Sequence, residues 1–212
     1  MRQQIVIYMM ESIEIQVVNK IKKAKRGSAF FADSFATIAN AKSVNKALER
    51  LVRAGELQRV STGIYVRPAK DKIIGTILPS VDEIAIAIAK RDKARIVPTG
   101  SYAMYKLGLT TQVPLNIVYY TSASARKVKI GKQTIIFKKA SSKSLAAIGD
   151  ISKLAIQALR TIGEDNITTA EIEKIKAVLK KEKNFHLQHD LKLAPVWIQK
   201  LLATTQNNSS NE

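Results

Sequence analysis

The stretch SFATIANAKSVNKALERLVRAGELQRVSTGIYVRP, residues Ser34–Pro68, decides how the first part of this chain folds. Its apolar beginning, Phe35–Ala39, predicts a short helix, and Asn40-Ala41-Lys42 predicts a turn. Ser43 then suits the N-cap of a second helix, because its hydroxyl can accept a hydrogen bond from the free N–H groups of the first turn. That helix is expected to stop at Gly55, since a helix C-terminus favours a residue that tolerates positive φ.

The second helix is amphipathic. Five apolar residues repeat along one of its faces, namely Val44, Ala47, Leu48, Leu51 and Val52. Two short alternating strands follow, Leu57–Val60 and Ile64–Arg67, and the loop Ser61-Thr62-Gly63 joins them. Gly63 suits a tight hairpin because positive φ costs it nothing. Helix, turn, amphipathic helix and basic hairpin in this order predict a winged helix-turn-helix, a module that places its second helix in a DNA major groove.

The polar face of the second helix and the hairpin carry the candidate DNA-binding residues. On the helix these are Lys42, Ser43, Asn45, Lys46, Arg50 and Arg53, and on the hairpin they are Arg59, Thr62 and Arg67. Asparagine and arginine can pair bidentately with adenine and guanine edges, whereas lysine mostly contacts phosphate. The alternative is an ordinary solvated face. The hairpin and the charge of the whole chain favour DNA over that alternative.

The chain of 212 residues is strongly basic, with 35 Lys and Arg against 17 Asp and Glu and a formal net charge of +18. Such an excess supplies the long-range attraction that drives binding to phosphates, although ribosome-like or membrane-surface binding would explain it too. With 46% hydrophobic residues, the chain can bury a core and is expected to hold two modest domains. It has no cysteine, which excludes a disulfide framework and a zinc ribbon.

The segment before residue 34 completes the N-terminal domain. Ser12–Lys23 predicts a first helix that packs across the other two. Its end, Lys20–Arg26, is a basic run with two open roles, phosphate binding or a favourable charge at a helix C-terminus. Ala29–Phe31 predicts a strand against the hairpin, and the domain is expected to end near Lys72. No apolar run approaches the length of a membrane span and the start lacks the features of a signal peptide, so we expect a cytoplasmic protein.

Beyond residue 72 the pattern predicts an α+β domain over residues 73–202, followed by a polar, disordered tail, 203–212. The predicted helices are Val81–Lys90, Ser101–Leu107, Ile151–Ile162, Thr168–Lys183 and Ala194–Leu202. The predicted strands are Arg95–Pro98, Leu115–Thr121, Val128–Ile130 and Gln133–Lys138, the last two forming a hairpin around Gly131-Lys132. Thr168 and Glu171 have the spacing of a capping box. The fold class is therefore α+β, a winged helix-turn-helix followed by a mixed α/β domain with terminal helices.

Thr99-Gly100-Ser101, between a strand and a helix, resembles the Gly-Ser element of nucleotidyltransferases. That chemistry needs carboxylates to hold magnesium near the phosphates. Between Asp92 and Asp150 there are ten Lys or Arg and not one Asp or Glu, so such a site cannot be built from this segment alone. We interpret the Gly-Ser pair as a helix start capped by Ser101.

Other catalytic patterns are also missing from the sequence. His186 and His189 lie three residues apart on a predicted helix beside Asp190, but no further ligands with metal-site spacing accompany them, which favours a structural or surface role. There is no Walker-type loop, no dinucleotide fingerprint and no nucleophile elbow. We therefore expect a protein that is not an enzyme and that needs no cofactor and no metal.

Two segments give the chain a resemblance to a known family. RLVRAGELQRVSTGIYVRP (Arg50–Pro68) and VPTGSYAMYKLGLTTQVPLNIVYYTSAS (Val97–Ser124) resemble the AbiEi-type antitoxins and transcriptional regulators of bacterial type IV toxin–antitoxin systems. The first segment is shared with many winged-helix proteins, whereas the second is distinctive. The resemblance covers roughly residues 12–165.

The resemblance implies two roles. The N-terminal domain would bind double-stranded DNA repeats upstream of its own gene and repress that operon. The C-terminal domain would counteract a nucleotidyltransferase-like toxin, with or without touching it. Family members use basic residues of both domains, which adds Arg126, Lys127 and Lys129 on the second hairpin to the candidate DNA contacts. A solubilising hairpin face is the alternative for these three.

A second hypothesis is an interaction module whose basic surface binds RNA or an acidic protein without reading a DNA sequence. Preference for one DNA site over random duplex separates the two hypotheses. The sequence leaves the operator, the oligomeric state and the existence of a partner toxin open, and no membrane partner is expected.

Overall fold

The structure is a computed structural model that describes residues 12–203, and these residues contain eight α-helices and nine β-strands. Helices and strands alternate irregularly along the chain, which confirms the predicted α+β class. The chain divides into two compact units between Ala87 and Ile88, a point inside helix α3 (Val81–Arg91). The sequence prediction had the boundary earlier, near Lys72. Residues 204–212 of the predicted tail lie outside the described residues, while Ala203 ends the last helix.

From residue 12 onward, the N-terminal unit begins with a helix, a strand and a short 3-10 turn: α1 (Ile13–Lys23), β1 (Ala29–Phe31) and the turn Ala32–Phe35. One longer helix and a hairpin follow, namely α2 (Ala41–Arg53), β2 (Gln58–Ser61) and β3 (Ile64–Val66). The three strands form an antiparallel sheet in the order β1-β3-β2. The predicted strand at Ala29–Phe31 is thus confirmed, and it pairs with the hairpin as expected.

The core of this unit lies between α1, α2 and the sheet. Val17 of α1 and Leu48 of α2 are fully buried in one cluster with Phe35, and Tyr65 of β3 is also part of it. Burying an aliphatic side chain of this size contributes about 1.5–3 kcal/mol. The predicted apolar stripe of the second helix is confirmed, since its buried residues are Val44, Ala47, Leu48 and Leu51.

The start of α2 differs from the prediction. The helix begins at Ala41, inside the predicted turn, and its N-cap is Asn40, whose Oδ1 accepts a hydrogen bond from the N–H of Ser43 at 3.0 Å. Ser43 is therefore the third residue of the helix and not its cap. The predicted helix at Phe35–Ala39 is also wrong, because the chain there forms the end of the 3-10 turn and a further turn.

The end of α2 follows the prediction. Gly55 has a φ of 72°, and the N–H of Glu56 donates to the carbonyl of Leu51 at 3.0 Å. This bond satisfies one of the carbonyls that a helix end leaves without a partner.

A second hairpin, which was not predicted, follows β3. It consists of β4 (Ala69–Asp71) and β5 (Gly75–Ile77), which pair with each other in a separate two-stranded sheet. Helix α3 begins soon after it. Ser80 and Glu83 cap that helix reciprocally, because the Ser80 N–H donates to the Glu83 carboxylate at 2.7 Å and the Glu83 N–H donates to the Ser80 hydroxyl at 3.2 Å.

The C-terminal unit is built on a four-stranded sheet in the order β6-β7-β9-β8. Its strands are β6 (Ile96–Thr99), β7 (Asn116–Thr121), β8 (Arg126–Ile130) and β9 (Gln133–Lys139). The central pair, β7 and β9, is parallel, and both outer pairs are antiparallel. The predicted hairpin around Gly131-Lys132 is confirmed as β8 and β9.

Five helices accompany this sheet: α4 (Ser101–Lys106), α5 (Ser152–Ile162), α6 (Thr169–Leu179), α7 (Asn184–Leu191) and α8 (Val196–Ala203). Helix α5 is central, with Ala155 and Leu159 fully buried and contacts to α4, α6 and α7. The predicted capping box of α6 is confirmed, since the hydroxyl of Thr168 and the carboxylate of Glu171 each accept from the other's backbone N–H.

Helix α4 begins differently from the prediction. Gly100 is its N-cap, with a φ of 65°, and no side chain caps the helix. Ser101 is its first helical residue and is exposed, so the predicted capping by Ser101 is wrong. Among residues 12–203, no helix has the length and the apolar character needed to cross a bilayer.

Candidate nucleic-acid interface

Helix α2 has one buried face and one exposed face, because its apolar residues repeat with helical spacing. The exposed side holds five of the candidate DNA-binding residues, Lys42, Asn45, Lys46, Arg50 and Arg53. Ser43 is half-buried at the edge of this face, where its N–H is used by the helix cap. A groove of about 310 Å³ separates this face from the beginning of α1, lined by Glu14 on α1 and by Ser43, Lys46 and Arg50 on α2.

Glu14 is a feature of this face that sequence reasoning did not single out. Its carboxylate lies 3.2 Å from Nη1 of Arg50, and both side chains remain substantially exposed. An exposed ion pair of this kind contributes only about 0–1 kcal/mol to stability, so it can break at little cost. Its main consequence is that Arg50 has a carboxylate partner in the free protein.

The predicted wing residues of the hairpin β2–β3 differ in their exposure to solvent. Arg59 and Thr62 are exposed. Arg67 is instead half-buried, and its Nη1 donates to the carbonyls of Lys22 and Ala24 at 3.2 and 3.1 Å. These are carbonyls at the C-terminus of α1, where a cation is favourable. Arg67 therefore ties the hairpin to α1 and is less accessible to a ligand than Arg59.

The second basic hairpin, β8–β9, also separates its candidate residues. Alternation along β8 leaves Lys127 and Lys129 exposed on one face and turns Arg126 to the other. The Arg126 guanidinium forms an ion pair with Asp92 and lies 5.3 Å from the ring centroid of Phe137, the residue opposite it on β9. Arg126 is thus committed to contacts within the unit, whereas the two lysines are free to meet a ligand.

Burial also shapes the chemistry of Arg126. Its Nε is buried without a hydrogen-bond partner among the described residues. Burial, and then repulsion from Arg91, lower the pKa of Arg126 below its ordinary value. These features mark a residue held by packing, not one exposed for phosphate contact.

The exposed lysines of β8 belong to a wider basic sheet face. Lys127 lies opposite Ile136 on β9 and Lys129 lies opposite Thr134. Lys138 on the same side of β9 lies beside Tyr120 of β7. We name this set the basic sheet face, defined by Lys127, Lys129, Lys138 and the half-buried Tyr120. No carboxylate lies on these stretches of strand, so the positive charge is not locally neutralised.

The Gly100-Ser101 region borders a cavity of about 530 Å³. Its lining combines apolar residues with neutral polar ones: Ser101, Met104, Thr110, Gln112, Val113, Pro114, Leu115 and Asn116. A magnesium-dependent site would need carboxylate ligands here, and the lining contains none. In the part of the chain that the structure describes, no group of three or more His, Cys, Asp or Glu could hold a metal ion.

The two histidines lie on α7, and each has a carboxylate neighbour. Nδ1 of His186 lies 3.4 Å from Glu182, and Nδ1 of His189 lies 2.8 Å from Asp190. These carboxylates are held by a different set of partners, the segment 148–152 that leads into α5. Sequence reasoning noted Asp190 only as a neighbour of the histidines and missed this function.

Asp190 is fully buried and accepts three hydrogen bonds from that segment. The donors are the backbone N–H groups of Ile148 and Gly149, at 2.8 and 2.9 Å, and the hydroxyl of Ser152, at 2.5 Å. Burial alone would raise the pKa of Asp190, but the hydrogen bonds from Ser152, His189 and the two backbone groups outweigh it. The pKa therefore lies below its ordinary value, and the carboxylate stays charged at neutral pH.

Glu182 completes this arrangement, which we call the carboxylate clamp (Glu182 and Asp190 holding residues 148–152). Its Oε2 accepts from the backbone N–H groups of Ile151 and Ser152 at 2.7 and 3.1 Å. Burial would raise the pKa of Glu182, yet these backbone bonds lower it overall. Gly149 fits the clamp because a Cβ atom there would lie 2.1 Å from Ser152 Oγ and 2.6 Å from Glu182 Oε2.

Comparison with known proteins gives the chain a family. A family model matches residues 16–187, and its description is a family of unknown function, DUF6088. The chain belongs to the DUF6088 family. No curated protein matches this DUF6088 member. Among solved structures, it is similar to the crystal structure of the RV2827C protein from Mycobacterium tuberculosis, with 12% identity and a TM-score of 0.44 over 92% of this chain and 82% of that chain.

The DUF6088 match includes both basic surfaces described above. It spans the exposed face of α2, the hairpin β2–β3 and the basic sheet face, and it ends at residue 187, within α7.

Proposed function

We propose that this chain is a DNA-binding transcriptional repressor with a winged helix-turn-helix, and that it also acts as an antitoxin of a type IV toxin–antitoxin system. The observation that carries the proposal is the exposed face of α2. Lys42, Lys46 and Arg53 supply positive charge there, while Asn45 and Arg50 can pair with base edges.

The order of elements supports the winged-helix part of the proposal. A helix, a strand, a short turn, a second helix and a hairpin follow one another, and the first strand completes the sheet in the order β1-β3-β2. In a winged helix, α2 would be the recognition helix and the β2–β3 hairpin would be the wing. Arg59 and Thr62 would then contact the backbone beside the groove that α2 enters.

The basic sheet face supports a second contact with phosphate. Lys127, Lys129 and Lys138 project from one side of a sheet whose strands carry no Asp or Glu, and exposed lysines of this kind bind phosphate without reading sequence. Arg126 is excluded from this role by its ion pair with Asp92. Base reading and phosphate binding would thus come from different parts of the chain.

The antitoxin part rests on the resemblance of Val97–Ser124 to AbiEi-type proteins. It implies autoregulation through repeats upstream of the gene and a partner toxin that resembles a nucleotidyltransferase. Neutralisation of the toxin could occur without contact between the two proteins. No cofactor takes part in either role.

The test is a titration of the full chain against the DNA immediately upstream of its own gene, with scrambled duplex as competitor, at about 50 and 200 mM salt. We expect the upstream duplex to bind at least about a thousandfold more tightly than the scrambled one. Asn45→Ala and Arg50→Ala should reduce that ratio, because each removes a possible base contact. Lys46→Ala should weaken both duplexes alike.

Equal binding to both duplexes would mean that the basic surfaces bind phosphate without recognising a DNA sequence. The basic RNA- or protein-binding module would then replace the repressor as the best assignment. If the upstream duplex is preferred but Asn45→Ala and Arg50→Ala leave the ratio unchanged, α2 is not the recognition helix. Co-expression with the neighbouring gene tests the antitoxin role separately, since a toxin would arrest growth only without this chain.

A further inference from the structure

The β4–β5 hairpin is an apolar projection that the fold does not explain. Each residue from 70 to 78 is exposed. Ile73 and Ile74 at its tip are 95% and 76% exposed. Ile77, the last residue of its second strand, and Leu78, which follows that strand, are 41% and 37% exposed. A two-stranded hairpin without a packed face is only marginally stable in water, and exposed apolar groups of this size mark interaction sites.

The tip is held in shape by one carboxylate. Oδ1 of Asp71 accepts hydrogen bonds from the N–H groups of Ile73 and Ile74 at 2.8 and 2.9 Å. These two backbone bonds lower the pKa of Asp71, so the carboxylate stays charged and bonded to the turn. Gly75 follows with a φ of 82°, which closes the turn. Two isoleucines are therefore presented to solvent on a preformed turn, which reduces the entropy cost of inserting them into a partner.

Charge distinguishes between the possible partners. Lys70 and Lys72 are exposed on the same hairpin, and the only carboxylate between them is the one that binds the turn. A second copy would bring the same lysines together and adds a chain of net charge +18, so self-association through this hairpin is electrostatically opposed. A polyanion meets no such opposition.

We infer that Ile73 and Ile74 form a wedge that enters the minor groove of duplex DNA and separates two stacked base pairs, while Lys70 and Lys72 contact the flanking phosphates. This inference rests on the proposed DNA-binding function. Apolar side chains inserted between base steps from the minor groove are a known means of DNA binding, and lysines beside them offset the cost of unstacking. The wedge adds a second groove contact to the one assigned to α2.

The experiment compares the full chain with an Ile73→Ala/Ile74→Ala variant. The probes are duplexes of the upstream DNA in which single adenines are replaced by 2-aminopurine, a base whose fluorescence rises when it unstacks. With the unchanged chain we expect a rise at one or two adjacent positions. The variant should lose that rise and bind the upstream duplex at least about tenfold more weakly, because both apolar contacts are gone.

Two further variants control this result. Val113→Ala/Leu115→Ala removes two exposed apolar residues outside the hairpin and should leave both readings unchanged. Ile73→Leu/Ile74→Leu keeps the apolar volume and should restore the fluorescence rise. Because all four positions are exposed, the folded state of each variant can be matched by its urea unfolding midpoint.

The outcomes separate the two proposals. If the unchanged chain binds no duplex, both the proposed function and the wedge are overturned. If it binds its upstream DNA but the Ile73→Ala/Ile74→Ala variant gives the same affinity and fluorescence, the wedge alone is overturned. Sedimentation velocity adds one more test. A dimer that becomes a monomer in this variant, with unchanged fluorescence, would assign the hairpin to contacts between copies and overturn the wedge.

Discussion

Arg50 illustrates how a single residue can be held back from its proposed ligand. In the free protein it pairs with Glu14, and in the proposed complex it turns to a base edge or a phosphate. We predict that Glu14→Gln raises the affinity for the upstream duplex about threefold, because it frees Arg50 and removes a negative charge beside the DNA. Fluorescence anisotropy at low salt measures the change.

The control for this prediction is Glu164→Gln, which removes the same charge from an exposed residue of the C-terminal unit. It should leave the affinity nearly unchanged. An equal gain in both variants would mean that only the net charge matters, and the Glu14–Arg50 pair would then have no specific effect on binding.

Single residues also show where sequence reasoning succeeds and where it stops. Gly55 and Gly63 were predicted because a required positive φ is a property of one position, and both have it. The role of Asp190 was not predicted, since its backbone donors are the N–H groups of Ile148 and Gly149, which lie 42 and 41 positions earlier in the chain. The position of Arg126 was predictable only in part. Alternation predicts that it faces away from Lys127, but the sequence does not say which face is covered.

Helix α2 is the element on which the DNA-binding proposal depends, and its N-terminus gives a direct test of the corrected cap. We predict that Asn40→Ala destabilises the fold by about 1 kcal/mol, because it removes the side-chain oxygen that accepts from the N–H of Ser43. Ser43→Ala should change stability by less than about 0.5 kcal/mol, since its hydroxyl caps nothing. Urea unfolding of the two variants measures both values, and a larger loss in Ser43→Ala would restore the cap that the sequence predicted.

The two candidate caps explain why the sequence misled at this element. Asn40 and Ser43 are both favourable N-cap residues three positions apart, and each is followed by a plausible helix. In the structure the helix begins at Ala41, and Asn40 is the residue whose side chain caps it. The β4–β5 hairpin was not predicted because its strands are exposed along most of their length. Exposed strands do not show the apolar–polar alternation of a half-buried strand.

The carboxylate clamp joins two helical regions and should make the C-terminal unit sensitive to acid. The folded state holds the pKa values of Asp190 and Glu182 below their ordinary values of 3.8 and 4.5. A lowered pKa means that the unfolded chain binds protons first, so the stabilisation is complete above these ordinary values and is lost as the pH falls below them. We predict that the urea midpoint falls steeply below about pH 4.5.

Asp190→Asn tests the source of this acid sensitivity. At neutral pH it should destabilise the chain by about 3 kcal/mol, because a charged acceptor of several buried hydrogen bonds is replaced by a neutral one. The acid limb of its stability curve should be shallower than that of the unchanged chain. Asp165→Asn is the control, since Asp165 is exposed outside the clamp and should change stability little. If both variants keep the full acid limb, the sensitivity arises elsewhere.

At the scale of the whole molecule, the α+β class and the basic character were predictable because they depend on many residues at once. The hydrophobic stripes, the strand alternation and the charge excess can each be recognised even when the predicted bounds of an element are wrong by a few residues. The division between the units was less predictable, since it falls inside α3, a regular helix whose sequence has no break. Composition shifts mark linkers, and here there is no linker at that point.

The charge distribution of the whole chain predicts how binding depends on salt. Each neutralised phosphate adds about 0.9 to the slope of log affinity against log salt concentration. If the basic sheet face contacts the same duplex as α2, Lys127→Ala/Lys129→Ala should reduce the magnitude of this slope by about 1.8 while leaving the preference for the upstream sequence intact. Lys180→Ala/Lys181→Ala removes the same charge from exposed lysines outside that face and should leave the slope unchanged. Equal slopes for the unchanged chain and the Lys127→Ala/Lys129→Ala variant would exclude these two lysines from the DNA contact, because a lysine that neutralises no phosphate releases no counterion.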